Sequence, residues 1–271
     1  MIDAQTQDAL RKRFNPDGSQ LRFHQLRMLD MLAYFDDLCR RHGIKYWLSS
    51  GTLIGAVRHG GFIPWDDDVD VEMLRDDYER LITVFKKEPD PKFILQTHCT
   101  DFYYFQPFAK LRDPNSIIKE TGTEVDRFYK YRGIFIDVFV LDPSSSRRVA
   151  YIAHILHNSL ILNRISKIKR PALRLVYYKT VYGALHKLLF PTIRFFMKIG
   201  TKDRLRHTLG IGFFGERFYH ELFPLKTVLF ENLTLPVPNH YDSLLRRIYG
   251  NYMALPSLDT IDCHITELEL E

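Results

Sequence analysis

The octapeptide Trp65-Asp66-Asp67-Asp68-Val69-Asp70-Val71-Glu72 carries carboxylates at three alternate positions, 66, 68 and 70. On an extended chain alternate side chains share a face, so Asp66, Asp68 and Asp70 would project together while Val69 and Val71 point the other way. Positions two apart on a strand are separated by about 6–7 Å, close enough for carboxylates to converge on a hard divalent cation that prefers oxygen ligands. Without a cation such a cluster repels itself. Two plainer readings compete. An EF-hand loop shares the first three ligand positions, but it requires Gly at the sixth and Glu at the twelfth, where this chain has Val71 and Asp77. A solvated acidic turn is the usual fate of a charge run. Here, however, Ile63, Pro64, Trp65, Val69, Val71 and Met73 surround the acids, and strands of this kind lie inside sheets.

Upstream, Ile44 to Leu48 reads as a strand leading into the turn Ser49-Ser50-Gly51-Thr52, which opens a short helix over 52–58 ended by Gly60-Gly61. Backbone N–H groups and a hydroxyl at Gly51 and Thr52 can hold a phosphate at the positive end of that helix. A Ser-Gly turn alone is usually only a turn, and its value comes from lying just before the acids. Asp137 is out of place in the apolar run from Gly133 to Leu141. If its strand pairs beside that of Asp68 and Asp70, its carboxylate completes a two-cation site of the kind used in phosphoryl transfer. The alternative is an Asp bonded to a nearby amide. Arg58 and Lys110 are candidate phosphate clamps, since fixed cations offset charge spreading over a transferred group, or else surface cations.

The chain has 271 residues and 45% apolar content, enough to bury a substantial core. Helical spacing predicts helices over 21–42 and 75–87, and Tyr241 to Tyr249 reads as a helix capped by Gly250. The aromatic-rich stretches 93–96, 103–111 and 116–119 read as antiparallel strands. A long helical region follows to about Arg206, with breaks expected at Pro171 and Pro191. Cys39, Cys99 and Cys263 are odd in number and far apart, which matches neither a disulfide framework nor a zinc module, so they read as reduced thiols. The N-terminal residues lack the order of a secretory signal, and no apolar stretch approaches the length of a membrane span, which makes a cytoplasmic location the expectation.

The formal charge of +5 is unevenly spread. Residues 147–206 hold 14 Lys and Arg against the single acid Asp203, a local +13 that leaves the remaining chain at −8. Cations there alternate with Leu, Ile, Val, Phe and Tyr, the pattern of helices that lie on an anionic membrane surface. Nucleic acid is disfavoured as a partner because so apolar a stretch exceeds what a phosphate-tracking surface needs. An ordinary helical subdomain with a basic outer face is the plain alternative.

The run from Tyr46-Trp47-Leu48-Ser49-Ser50-Gly51-Thr52 through His59-Gly60-Gly61-Phe62-Ile63-Pro64-Trp65 to Asp66-Asp67-Asp68-Val69-Asp70-Val71 resembles the signature of the LicD family. That family includes bacterial phosphocholine transferases and the fukutin-related phosphosugar transferases. The likeness continues through Phe108-Ala109-Lys110-Leu111-Arg112-Asp113, Gly133 to Phe139, and Tyr249-Gly250-Asn251-Tyr252 with Pro256. It departs at Val140, where the family usually has Pro, and no Cys/His grouping like that of some eukaryotic relatives is present, so the bacterial branch is the better match.

The resemblance implies a nucleotidyltransferase-like fold, so the expectation is an α+β architecture, a mixed sheet flanked by helices, to which the charge pattern adds an appended basic helical subdomain. Residues 1–146 would form the catalytic core, 147–210 the basic region, and 211–271 a segment packing back on the core. It further implies that Gly51 and Thr52 seat donor phosphates, that Asp68 and Asp70 hold Mg²⁺ or Mn²⁺, and that Asp137 completes the site by holding a second ion or accepting a hydroxyl proton. Asp66 falls in the same motif as a further candidate ligand. The expected reaction moves a substituted phosphate, phosphocholine from CDP-choline, onto a hydroxyl of lipopolysaccharide or another lipid-linked glycan at the inner face of the cell membrane, releasing CMP. Phosphoethanolamine, aminoethylphosphonate or a polyol phosphate are alternative groups. A metal-dependent nucleotide-sugar glycosyltransferase and an inactive membrane-surface scaffold are the rival classes.

Overall fold

A computed structural model describes residues 2–120, 126–144, 146–259 and 265–270. In chain order the first elements are helices α1 (Ala4–Phe14) and α2 (Gln20–Arg41), strand β1 (Trp47–Leu48), helix α3 (Ser50–His59), strand β2 (Asp70–Leu74) and helix α4 (Arg75–Lys87). Strands β3 (Ile94–Gln96), β4 (Ala109–Arg112), β5 (Ser116–Glu120) and β6 (Phe135–Pro143) follow. The basic region forms α5 (Arg147–His157), a π-helical turn over Asn158–Leu162, α6 (Asn163–Ile165), α7 (Pro171–Tyr182), a second π-helical turn over Gly183–Leu189 and α8 (Phe190–Lys198). The chain then returns as β7 (Arg204–His207), β8 (Arg217–Phe218), α9 (Tyr219–Leu222), β9 (Lys226–Phe230), β10 (Leu233–Val237), α10 (Tyr241–Tyr249) and β11 (Ile265–Leu270).

The main sheet is mixed, in the order β1-β2-β6-β4-β3, with β7 taking up the edge of β6 beyond β4 and β8 pairing β7. Strands β2 and β6 run parallel, and the other pairs in the sheet are antiparallel. A parallel pair is stable when both of its faces are covered, and β6 supplies Ile136, Val138 and Val140 with no measurable exposure. Helix α2 presents Met28, Met31, Leu32 and Phe35 to the same core. The Ser19 side chain caps that helix at Arg22 N–H, so the start and packing face of α2 are both written locally. Helix α4 begins with Asp76 and Asp77 and ends with Lys86 and Lys87, charges that match its dipole.

Three expectations need correction, and α1 is an element beyond those expected. Only Ala109–Arg112 of the 103–111 stretch is a strand; Tyr104 and Phe105 instead sit in a second core with Tyr129, Tyr178, Tyr182 and Phe190. Pro191 breaks nothing: the π-helical turn over Gly183–Leu189 runs straight into α8 across it, and such a turn is where the regular backbone ladder is already interrupted. The helical region ends at Lys198, and β7 joins the main sheet against β6, so the boundary placed at 210 cuts into the core. Cys39 is buried and Cys99 exposed, both as free thiols; Cys263 lies outside the described residues.

Candidate active site

Strand β2 begins at Asp70, so Asp66 and Asp68 lie on the loop that feeds the strand rather than on the strand itself. Two buried polar side chains of α2 fix that loop by its backbone: His24 Nε2 stands 2.9 Å from the Asp67 carbonyl, and Gln25 Nε2 donates to the Asp66 carbonyl at 2.9 Å. Asp70 is the direct register partner of Asp137 on the parallel strand β6, and Asp137 is the register partner of Lys110 on β4. Partners in register share a face of the sheet. The three side chains therefore form one row, in which Lys110 Nζ is 3.0 Å from Asp137 Oδ1 and lies over the Phe135 ring.

Two carboxylates share the row with the Lys110 ammonium. Burial pushes the Asp70 carboxyl well above its ordinary range, and the neighbouring charges of Asp68, Asp137 and Asp66 push it the same way, with a Ser50 hydrogen bond opposing. Asp66 is raised in like manner by burial, then by Asp68 and Asp67. Such a set of oxygens fits a divalent cation. Among the described residues no group of three or more His, Cys, Asp or Glu side chains is placed to hold a metal ion by itself. Mg²⁺ does not need one, because it is held by one or two carboxylates together with substrate phosphates and water.

The start of α3 faces this row. No side chain caps it at Ser49, which leaves its first N–H groups for an anion. A Cβ at Gly51 would stand 2.8 Å from Asp66 Oδ2, so glycine is what lets that carboxylate lie against the helix start. Thr52 Oγ1 accepts the Asp70 N–H at 2.8 Å and thereby ties α3 to β2. Arg58 does not reach the row as a clamp. Its guanidinium donates to the carbonyls of Tyr252 and Ala254 at 2.7 and 3.0 Å and to His59 Nε2, so it locks the end of α3 to the C-terminal segment.

Several participants escape a reading of the sequence. Ser50 holds a left-handed backbone with φ 48°, costly for a non-glycine residue, and its hydroxyl opposes the upward shifts of Asp70 and of Tyr249 on α10. Glu72, two residues beyond Asp70 on the same face, is fully buried. Arg217 Nη2 and His207 Nε2 reach Glu72 Oε1 at 2.7 and 3.0 Å, and Trp47 Nε1 donates to its Oε2 at 3.0 Å. Burial alone would raise the Glu72 carboxyl, but Arg217 and then His207 hold it well below the carboxylate range. Beside Glu72 in the next row across the sheet stands Phe139, which meets Phe108 at 4.6 Å and the 60% exposed Phe213 at 5.6 Å between ring centres.

Residues 43–160 match the family model described as LicD/FKTN/FKRP, nucleotidyltransferase domain. The "Lipopolysaccharide cholinephosphotransferase LicD" of Haemophilus influenzae is 32% identical over 256 residues, which cover 87% of this chain and 92% of that protein. The chain belongs to the LicD family. Within that LicD domain match fall Asp66, Asp68, Asp70, Lys110 and Asp137, whereas His207, Arg217 and Tyr249 lie beyond it. "Uncharacterized protein RT0683" of Rickettsia typhi is 38% identical over 89 residues, 30% of this chain and 29% of that one. The human "Ribitol 5-phosphate transferase FKRP" is 54% identical over 35 residues, 13% of this chain and 7% of its own length.

Proposed function

We propose that this LicD protein transfers phosphocholine from CDP-choline to a hydroxyl of lipopolysaccharide or a similar lipid-linked glycan at the inner face of the membrane, with release of CMP. The observation that carries the reading is the register of Asp70 with Asp137 across the parallel strands, opposite the uncapped start of α3. Asp68 and Asp70 would hold Mg²⁺ or Mn²⁺, with Asp66 behind them against Gly51. When bound, the cation would neutralise the donor diphosphate and the leaving CMP. The α3 N–H groups at Gly51 and Thr52 receive the diphosphate. Lys110 stands 3.0 Å from Asp137, and the Asp137 carboxylate would take the acceptor's hydroxyl proton as its oxygen attacks the distal phosphorus. The aromatic edge of Phe108, Phe139 and Phe213 suits a quaternary ammonium by cation–π contact.

A polyol phosphate as the transferred group is the second reading, favoured by the 35-residue match to the ribitol 5-phosphate transferase. Purified protein with Mg²⁺ and lipopolysaccharide should release CMP from CDP-choline and add phosphocholine to the glycan by mass spectrometry. Turnover of CDP-ribitol alone would replace the first reading with the second, and turnover of a UDP-sugar alone would replace both with the glycosyltransferase.

A further inference from the structure

Large apolar side chains left exposed are concentrated in one place. Twelve of the eighteen among the described residues fall between Tyr151 and Ile199, in the basic region. From Pro171 to Lys198 the chain is helical without interruption, as α7, the second π-helical turn and α8, a rod about 40 Å long. Its inner side is spent: Tyr178, Tyr182, Leu185 and Phe190 pack into the second core. Its outer side carries Leu173, Val176, Leu188, Phe195 and Phe196, continued just past the end by Ile199, each 55–68% exposed. Lys179, Lys187 and Lys198 are also exposed along it, and no Asp or Glu occurs in the run.

We propose that the outer face of the Pro171–Lys198 rod docks on an anionic lipid bilayer, its apolar side chains entering the interface and its lysines lying among the headgroups. Charge decides the occupant. A second copy of this face would bring lysines against lysines across a two-fold axis, and a nucleic acid would leave the apolar stripe in water. No helix among the described residues is long and apolar enough to cross a membrane, so the rod lies on the surface. Docking there would orient the acidic row, because α8 packs on β6, where Arg194 Nε stands 3.8 Å from Asp142 Oδ2, five residues beyond Asp137. The proposal is independent of which phosphate group is transferred.

The test is flotation of the full chain with vesicles of phosphatidylcholine and of phosphatidylcholine mixed with phosphatidylglycerol. The chain should float with the mixed vesicles and do so less in high salt. Combined Leu188→Ser, Phe195→Ser and Phe196→Ser should weaken binding at least about tenfold, with thermal unfolding unchanged. Hydrogen exchange of the wild-type chain should slow within residues 171–199 when mixed vesicles are added, a readout free of any folding defect in the variant. Absence of flotation with mixed vesicles would overturn the proposal, as would equal flotation of the variant or protection confined to other segments. A dimer broken by the same substitutions, with flotation unaffected, would assign the face to self-association. Failure of CMP release leaves every one of these outcomes readable.

Discussion

Asp70 and Asp137 stand side by side in register on parallel strands although 66 residues separate them in the chain, and Lys110 flanks Asp137 on its other side. Asp66 and Asp68 approach the same point, and burial together with mutual repulsion raises the Asp66 and Asp70 carboxyls, so the fold gathers negative charge at one place on its sheet. Folding alone does not favour such an arrangement, and sites that bind charge tolerate it.

Asp70→Asn should therefore lower CMP release by at least roughly 10²-fold while leaving the thermal midpoint equal to or above that of the wild type. The reason is the sign of the Asp70 shift: a carboxyl raised in the folded state is ionised at neutral pH only at a cost to stability, which the neutral amide removes. Scanning calorimetry and the CMP assay on the same preparation check both halves. A large fall in the midpoint would make Asp70 a structural residue.

Arg58→Met should cost about 1–3 kcal/mol by urea denaturation, because the buried carbonyl of Tyr252 and the part-buried carbonyl of Ala254 lose their donor. The KM for the donor should stay near the wild-type value in whatever fraction remains folded. A raised KM with unchanged stability would return Arg58 to the phosphate.

Glu72→Gln should destabilise by about 3–5 kcal/mol, the usual effect of removing one partner from a buried ion pair, since Arg217 is left in the core without its counter-charge. Replacing both, as Glu72→Leu with Arg217→Met, should recover much of the loss. The Glu72 contribution is complete above its unfolded range near pH 4.5 and declines as pH falls toward its depressed folded value. If the double variant is no better than the single one, the pair is not the source of the effect.

Stability should also fall between pH 7 and pH 5, before ordinary carboxylates titrate. His157 Nδ1 lies 2.9 Å from His186 Nε2. Burial lowers His157 to about 3 and, together with the charge of His157 and Arg194, lowers His186 to about 2. The unfolded chain takes up protons below about 6.5 that the folded pair refuses, so stability is full above that value and drains away as pH decreases. At pH 5 each histidine should cost roughly 1–2 kcal/mol. Urea midpoints at the two pH values check this, and the combined His157→Gln and His186→Gln variant should reduce the difference, with the buried His59 and His207 keeping the remainder. An unchanged slope would show that the pair is not what titrates.

Asp137 is legible in the sequence because a charged side chain inside a run from Gly133 to Leu141 is affordable only beside a partner, and α2, α4 and α10 follow from spacing, caps and terminal charges. Arg58 is not legible, because nothing local says that its N–H groups end on carbonyls nearly two hundred residues away. Ser50 escapes because its role depends on a left-handed backbone set by tertiary contacts. Tyr104 and Phe105 carry strand propensity, yet packing against Tyr178 of α7 outweighs it. Tyr249, Arg217 and His207 come from far along the chain, so only the folded sheet brings them to Asp70 and Glu72.

Crystals grown with Mn²⁺ and a non-transferable CDP-choline analogue, with anomalous scattering used to find the cation, address the acidic row itself. The Mn²⁺ peak should lie against the Asp68 and Asp70 carboxylates and beside Asp137, with the diphosphate at the start of α3. A cation and diphosphate bound together on any other face of the sheet, leaving Asp70 and Asp137 untouched, would contradict it.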